Sequence, residues 1–531
     1  MSLARDVERA RRQGLGELLH RSARRDPDRP AIVYKGLRQT YAELDASVDR
    51  TAGALVARGL GKGDRVLLFG HNSYGFVVTT LALARAGAVM VPVNFMLGPA
   101  EVAFIAGHAG VSAAVVEDAL VPTADAALAA AGITDLLVRA VISDEPAEPP
   151  AGWESLHDLL AHEDATPPEV AVADDDPVAI TYTSGTESRP KGAVLSSRSL
   201  IAQFVSCIVD GEMHRDDVEV HPMPLYHCAQ LYCFLFPSLY LGASNVVLGG
   251  ADPGGILAAV EAERATKLFV PPTVWIGLLR HPDFDRRDLS SLRKGYYGAS
   301  AMPVEILHEL GRRLPDVRLF NFYGQTEMAP LATLLRPEEQ VRKAGSAGRP
   351  ALNVETRVVD DRGADVPAGE VGEIVHRSPH ATLGYYEDEE KSAEAFRDGW
   401  FHSGDLGVLD EEGYLYVVDR KKDMIKTGGE NVASREVEEA LYGHPAIQEA
   451  AIFGVPDPRW IEAVTAAVVV KDGEALEPAD VIAYCRERLA GFKAPKHVVL
   501  VDELPKNASG KIVKRELRER FKDLAQDATQ A

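Results

Sequence analysis

The residues most able to do chemistry are gathered in Thr181–Leu195, TYTSGTESRPKGAVL. Thr183, Ser184, Gly185 and Thr186 offer hydroxyls and small side chains, and Lys191 adds an ammonium group further along. Small residues let backbone N–H groups approach an oxyanion, hydroxyls add donors, and a lysine contributes a point charge. This is the chemistry of a phosphate-binding loop, although not the GxxxxGK(S/T) pattern of the common nucleoside triphosphatases. A solvated turn after a strand uses the same residue types, so spacing alone leaves both readings open. The apolar run Pro177–Tyr182 ahead of it reads as a buried strand.

Four more stretches concentrate reactive groups. Asn321–Glu327, NFYGQTE, sets an aromatic ring, a glycine, a hydroxyl and a carboxylate behind a strand. Gly399–Gly407, GWFHSGDLG, puts Asp405 in a glycine-flanked turn. Val417–Val432, VVDRKKDMIKTGGENV, joins a basic run to a Gly-Gly turn, and Pro505–Leu517, PKNASGKIVKREL, carries Lys511 behind Ser-Gly. Singly, each has an ordinary structural explanation: core packing for the tyrosine, a cap for the aspartate, a solvated surface for the lysine.

These groups need a scaffold, and the chain is long enough to build one. Its 531 residues call for two or three domains, and 46% hydrophobic residues fill a large core. A formal charge of −22 argues against nucleic acid as a partner, which requires a basic footprint. Four cysteines without a CxxC pair fit a reduced, cytoplasmic setting. The charged start, MSLARDVERARRQ, has no apolar core of a signal peptide, and the most apolar stretch, Phe76–Val93, is too interrupted for a membrane span.

Hydrophobic spacing predicts strands at Ala31–Tyr34, Arg38–Thr40, Asp64–Gly70, Val89–Pro92 and Ala113–Val116, interleaved with helices at Tyr41–Arg58, Ser73–Ala86 and Ala100–Ala109. Such alternation implies parallel sheets with helices on their faces. After the phosphate loop a helix is expected at Ser199–Val209, then a second α/β run. From Gly345 short β segments predominate, and the last hundred or so residues read as a separate α+β domain beyond the charged run Asp419–Asp423.

In this order, over nearly the whole chain, the five motifs resemble the adenylate-forming family of acyl-CoA synthetases, luciferases and peptide-synthetase adenylation domains. The resemblance implies a large N-terminal domain, 1–421, made of two stacked α/β subdomains and a small β-rich one. It also implies a mobile α+β C-terminal domain, 422–531, with the active site in the cleft between them. The implied activity is an ATP-dependent acid–thiol ligation using ATP, Mg2+ and CoA.

Residue roles follow from the matched motifs. Thr183, Ser184, Gly185, Thr186 and Lys191 match the loop on the β- and γ-phosphates of ATP. Tyr323, followed by Gly324, matches the aromatic that stacks on adenine, and Gly298, Ala299 and Ser300 match the strand end lining the other adenine face and the acyl site. Thr326 matches a donor to the α-phosphate, and Glu327 the Mg2+ carboxylate. Asp405, with Arg420 beside it, matches the acceptor for the ribose hydroxyls. Lys422 stands at the hinge, and Lys511 matches the lysine that reaches the reacting carboxylate. Lys426, Gly428, Gly429, Glu430 and Asn431 match the loop of the second half-reaction. His227, in PLYH, matches the position between nucleotide and carboxylate.

The acid is expected to meet His227, Cys228, Gln230, Tyr232, Trp275 and Gly298–Met302. A medium or long acyl chain and an aryl, cinnamate-like acid both remain open. So do a carrier-protein acceptor in place of CoA, an acyl-AMP ligase with no thiol acceptor, adenylation of nitrite for aryl-amine diazotisation, and a non-catalytic nucleotide-binding protein. One departure stands out: Glu187, Ser188 and Arg189 occupy the phosphate loop where the family carries a further hydroxyl and a glycine.

Overall fold

The computed structural model describes the chain apart from residues 1–6, 8–9, 165, 184–189, 301, 429, 507–511 and 525–531. Ser184, Gly185, Thr186, Gly429 and Lys511 therefore lie outside the described residues. The chain forms two compact units, one of Met1–Thr183, Pro190–Thr356 and His376–Phe401, the other including Arg357–Val375 and His402–Ala531.

The first unit contains two mainly parallel sheets. A seven-stranded sheet runs in the order Glu154–Ser155, Val138–Ile142, Ala113–Glu117, Arg65–Phe69, Val89–Val93, Pro177–Thr183, Lys191–Ser196. Its central strands are buried on both faces and read as continuous aliphatic runs, as parallel strands under helices must. The helices begin where the sequence supplies caps. Thr40 and Glu43 form a reciprocal capping box ahead of Tyr41–Ala57, and Ser73 accepts the N–H of Phe76 ahead of Tyr74–Ala86. The latter helix stops at Gly87, whose φ of 73° suits a residue without Cβ.

A nine-stranded sheet follows the order Arg349–Pro350, Leu331–Leu335, Arg318–Gly324, Lys294–Gly298, Lys267–Phe269, Val218–His221, Ser244–Val247, Pro30–Tyr34, Leu37–Thr40. Lys294–Gly298 and Arg318–Gly324 are parallel neighbours, with Gly298 opposite Phe322, so their carboxyl ends finish side by side.

The loop-to-helix passage expected after Thr183 is a hairpin instead. Lys191–Ser196 pairs antiparallel with Pro177–Thr183, placing Thr183 opposite Lys191. Gly192 permits the approach: a Cβ there would stand 2.6 Å from Ile180 Cγ2. The helix Ser197–Asp210 then starts at its Ser196 cap.

In the second unit Asp405–Leu409 pairs antiparallel with Leu415–Arg420, in a small β region. Beyond it a separate five-stranded sheet is built around the long pair Ile447–Asp457 and Ile461–Val470. Ser434–Tyr442, Pro478–Arg488 and Lys514–Arg520 are its helices, and Val437, Leu441, Val464, Val468 and Val481 form part of its core. The α/β class of the first unit and the α+β character of the C-terminal region are as the sequence implied.

Candidate active site

In the first unit the site grows from the start of the strand Lys191–Ser196. Thr183 Oγ1 donates to the Lys191 carbonyl at 3.4 Å. The segment Thr382–Tyr386 binds the strand: Leu383 N reaches Val194 O at 2.9 Å, Val194 N reaches Gly384 O at 3.0 Å, and Tyr386 N reaches Gly192 O at 2.8 Å. That pairing sets Tyr385 against Lys191, whose Nζ stands 5.0 Å from the ring centroid. The Tyr385 hydroxyl donates to Glu327 Oε1 at 2.8 Å, and the Glu327 carbonyl accepts the N–H of Thr382 at 2.8 Å. Lys191 and Glu327, separate motifs in the sequence, are thus joined through one tyrosine that motif matching did not single out.

Glu327 belongs to a short 3-10 turn, Thr326–Met328, just past the strand Arg318–Gly324. Thr326 Oγ1 lies 3.3 Å from Cys228 Sγ. His227 Nδ1 accepts the N–H of Ala229 at 3.2 Å and sits 3.9 Å from the same sulfur. An imidazole that accepts at Nδ1 carries its proton on Nε2 when neutral. The chain then enters a π-helical segment, Ala229–Leu235, a form that often accompanies functional sites.

Tyr323 is half-buried; its hydroxyl accepts from Gln325 Nε2 at 2.7 Å, and its ring centroid lies 6.3 Å from that of His376. Burial holds His376 neutral, its pKa down to about 3. Two glycines are dictated by close backbone. A Cβ on Gly324 would stand 1.8 Å from Pro330 O, and one on Gly298 would stand 2.5 Å from Phe322 O. Ala299, at φ 66°, and Ser300 follow as exposed residues at the strand end. In open α/β sheets the carboxyl ends of parallel strands are where ligands bind.

Not every residue expected to meet the acid is placed to do so. Trp275 is buried and its Nε1 donates to Tyr296 O at 3.1 Å. Gln230 is buried between His221 Nδ1, at 2.8 Å, and the N–H of Met223, at 3.2 Å. Tyr232 packs in the interior. Burial places all three in the core.

Glu327 suits Mg2+, since a partly exposed carboxylate with one oxygen fixed by a hydroxyl offers a hard donor to a cation that shares phosphate oxygens. Another group with metal-like spacing, His20, Asp45 and Asp49, already holds a cation of the protein's own. Arg85 pairs with Asp45 at 2.7 Å and with Asp49 at 2.5 Å, which makes it an anchor between helices.

In the second unit Asp405 is buried and pairs with Arg420 Nε at 2.8 Å. Their register across the hairpin explains the contact: the two residues are direct partners. Lys422 lies exposed in the following turn. In the next hairpin Lys426 faces Asn431 and Thr427 faces Glu430. Gly428, at φ 62°, donates its N–H to Trp460 O at 2.8 Å, and a Cβ there would meet the Trp460 ring at 2.9 Å. Gly428, Glu430, Trp460, Phe492 and Lys496 line a pocket of about 250 Å³.

The family model described as AMP-binding enzyme matches residues 19–386, and that of the AMP-binding enzyme C-terminal domain matches 436–511. The chain belongs to the AMP-binding enzyme family. It is 40% identical over 520 residues to a feruloyl-CoA synthase of Amycolatopsis, covering 96% of this chain and 100% of that one. With the indoleacetate–CoA ligase of Aromatoleum aromaticum it shares 37% identity, over 95% of this chain and 98% of the relative. The crystal structure of ATP-bound MatB from Rhodopseudomonas palustris superposes with a TM-score of 0.87 at 33% identity, covering 96% of this chain and 99% of that one. Within the AMP-binding enzymes the chain stands among the AMP-forming acid–CoA ligases, which join a carboxylic acid to CoA through an acyl-AMP with consumption of ATP. Among the described residues no helix is long and apolar enough to cross a membrane.

Proposed function

We propose that this ligase activates a short, flat aryl acid of the hydroxycinnamate kind, with the first-unit cluster around Lys191, Tyr385 and Glu327 holding the triphosphate. The observation that carries the nucleotide assignment is the joining of Lys191 to Glu327 through Tyr385, next to Thr326 and His227. The substrate class rests on a second feature. Phe234 stacks with Phe269 and Phe322 and meets Tyr296 edge-on in a filled aromatic cluster, and Phe322 is the strand partner of Gly298. A filled interior there favours a compact ring over a long alkyl chain, in keeping with the aryl acids named for the feruloyl and indoleacetate relatives.

A carboxylate is a poor acyl donor because its leaving group would be oxide. Attack of the acid oxygen on the α-phosphorus forms acyl-AMP and expels pyrophosphate; a thiolate then attacks the acyl carbon and expels AMP. The first step brings one anion toward another, so neutralising charge is its main demand. Lys191 provides one cation, and Thr326 a hydroxyl toward the α-phosphate. His227, donating through Nε2, orients the carboxylate. Bound Mg2+ at Glu327 would neutralise phosphate charge. One ammonium ~4 Å from an anion, at an effective dielectric of ~20, contributes about 4 kcal/mol, roughly a thousandfold in rate.

For the second step the candidate is the pocket beside Gly428. Trp460 and Phe492 offer faces to a base, and Lys496 offers a cation to phosphates, which are the parts of CoA remote from its thiol. Lys511 is assigned to adenylation, the 428–431 loop to thioester formation, and Lys422 to the change between them. Lys511→Ala should slow acyl-AMP formation about a thousandfold while leaving thioester formation from supplied acyl-AMP nearly intact. Lys422→Pro should do the reverse. Equal losses in both steps for either variant would remove the division of labour.

The decisive measurement is pyrophosphate exchange over a panel of hydroxycinnamates, benzoates, indoleacetate and fatty acids, with AMP release followed with and without CoA. Fastest exchange with a hydroxycinnamate, and CoA-dependent AMP release, are expected. Preference for a long-chain fatty acid would overturn the substrate class, and CoA-independent turnover would overturn the acceptor.

A further inference from the structure

Tyr385 is built into the site in a way that the proposed chemistry above does not require of an ordinary loop aromatic. Its backbone is fixed on several sides. Its N–H donates to Ser392 Oγ at 2.9 Å, and its Cα is in register with Ala193 on the strand that begins at Lys191. Gly384, at φ 123°, would bring a Cβ to 3.1 Å from Ser392 Oγ, so the turn into Tyr385 is restricted to glycine. Thr382 anchors the same segment twice, through its N–H to Glu327 O at 2.8 Å and its hydroxyl to Val194 O at 2.5 Å. The side chain therefore projects from a frame bonded to both the Lys191 strand and the Glu327 turn.

Its two ends do different work. The hydroxyl donates to Glu327 Oε1 at 2.8 Å, and the ring lies 5.0 Å from Lys191 Nζ. A carboxylate has lone pairs to spare, so one hydrogen bond restricts its rotation and leaves the remaining acceptor sites for a cation. A π face attracts an ammonium without neutralising it, so Lys191 is held near its working position and still available to phosphate.

We propose that Tyr385 is a positioning residue that orients Glu327 through its hydroxyl and Lys191 through its ring. Its role is to set the spacing between the metal-binding carboxylate and the phosphate-binding ammonium before nucleotide arrives. The proposal rests on the nucleotide reading of this site. It separates the two ends by chemistry: Tyr385→Phe removes only the hydroxyl, while Tyr385→Leu removes hydroxyl and ring.

The test is equilibrium binding of ATP to the full-length protein by calorimetry, once with Mn2+ and once with EDTA, beside pyrophosphate exchange and thermal unfolding. Tyr385→Phe should weaken Mn2+·ATP about tenfold, the weight of one hydrogen bond to a charged group, and leave metal-free ATP within twofold. Tyr385→Leu should weaken metal-free ATP as well, by about threefold to tenfold, as the ring contact with Lys191 is lost. In both variants the KM for the acid should be unchanged. Equal weakening with and without metal in Tyr385→Phe, tighter Mn2+·ATP binding, or losses that simply track a lower melting temperature would overturn the proposal. Absence of nucleotide binding by the unaltered protein would instead sink the nucleotide reading itself, and the tether with it.

Discussion

The first unit contains two lysines that each meet a tyrosine ring and belong to a cluster with a glutamate, and their surroundings make them opposites. Lys267 is fully buried, 2.7 Å from Glu219, with Ser238 bonded to both and the Tyr296 ring 5.9 Å away. Lys191 is only partly buried at a strand end, and Tyr385 stands between it and Glu327. In the first cluster the charges answer each other directly, and none is available to a ligand. In the second the tyrosine spaces cation from carboxylate, so both keep capacity for an external group. The same three residue types build a structural pair when collapsed and a candidate binding site when spaced.

Lys267→Met strands the Glu219 carboxylate in the interior and should lower stability by about 3–5 kcal/mol, read as a fall in the urea midpoint. Replacing Glu219 as well, with Leu, should recover part of that loss. No recovery would mean that packing rather than charge dominates. Lys191→Met should do the converse: pyrophosphate exchange falls about a thousandfold, roughly 4 kcal/mol, while stability changes by no more than about 1 kcal/mol. A large melting shift in that variant would place Lys191 with Lys267 as a structural residue.

His380 is buried with Nε2 3.0 Å from Ser206 Oγ and Nδ1 2.9 Å from Leu331 O, and burial lowers its pKa from 6.5 to about 4. The unfolded chain thus binds a proton that the folded chain refuses between those values, so stability rises with pH. Its contribution is fully present above about pH 6.5 and is lost as pH falls toward 4, about 3 kcal/mol at most on the scale of 1.36 kcal/mol per unit. Urea midpoints at pH 7.5 and 4.5 should differ in that direction, and His380→Asn should flatten the difference. An unchanged slope in the variant would assign the acid sensitivity to other groups, His376 first among them.

The sequence exposed some contacts and hid others for identifiable reasons. The Asp405–Arg420 pair is legible because both lie in recognisable motifs, and a short hairpin brings them into register. Tyr385 is not legible in the sequence because its partners are distant along the chain, and only strand pairing sets it between them. The pairing of Lys191–Ser196 with Pro177–Thr183 is hidden in the sequence, since Gly192 looks like loop and serves as a point of close approach. Trp275 and Gln230 carried chemistry-bearing side chains, and nothing local marked that their polar atoms would be used inside the core.

Hydrophobic periodicity is enough to lay out the alternation of strands and helices, because it depends on neighbours a few residues away. The order of five motifs determined the family. Which lysine is buried against its glutamate and which stands apart from it is set by burial and strand register, and these come from contacts between distant segments. That is also why Glu327, Tyr385 and Lys191 become one site only in the folded chain.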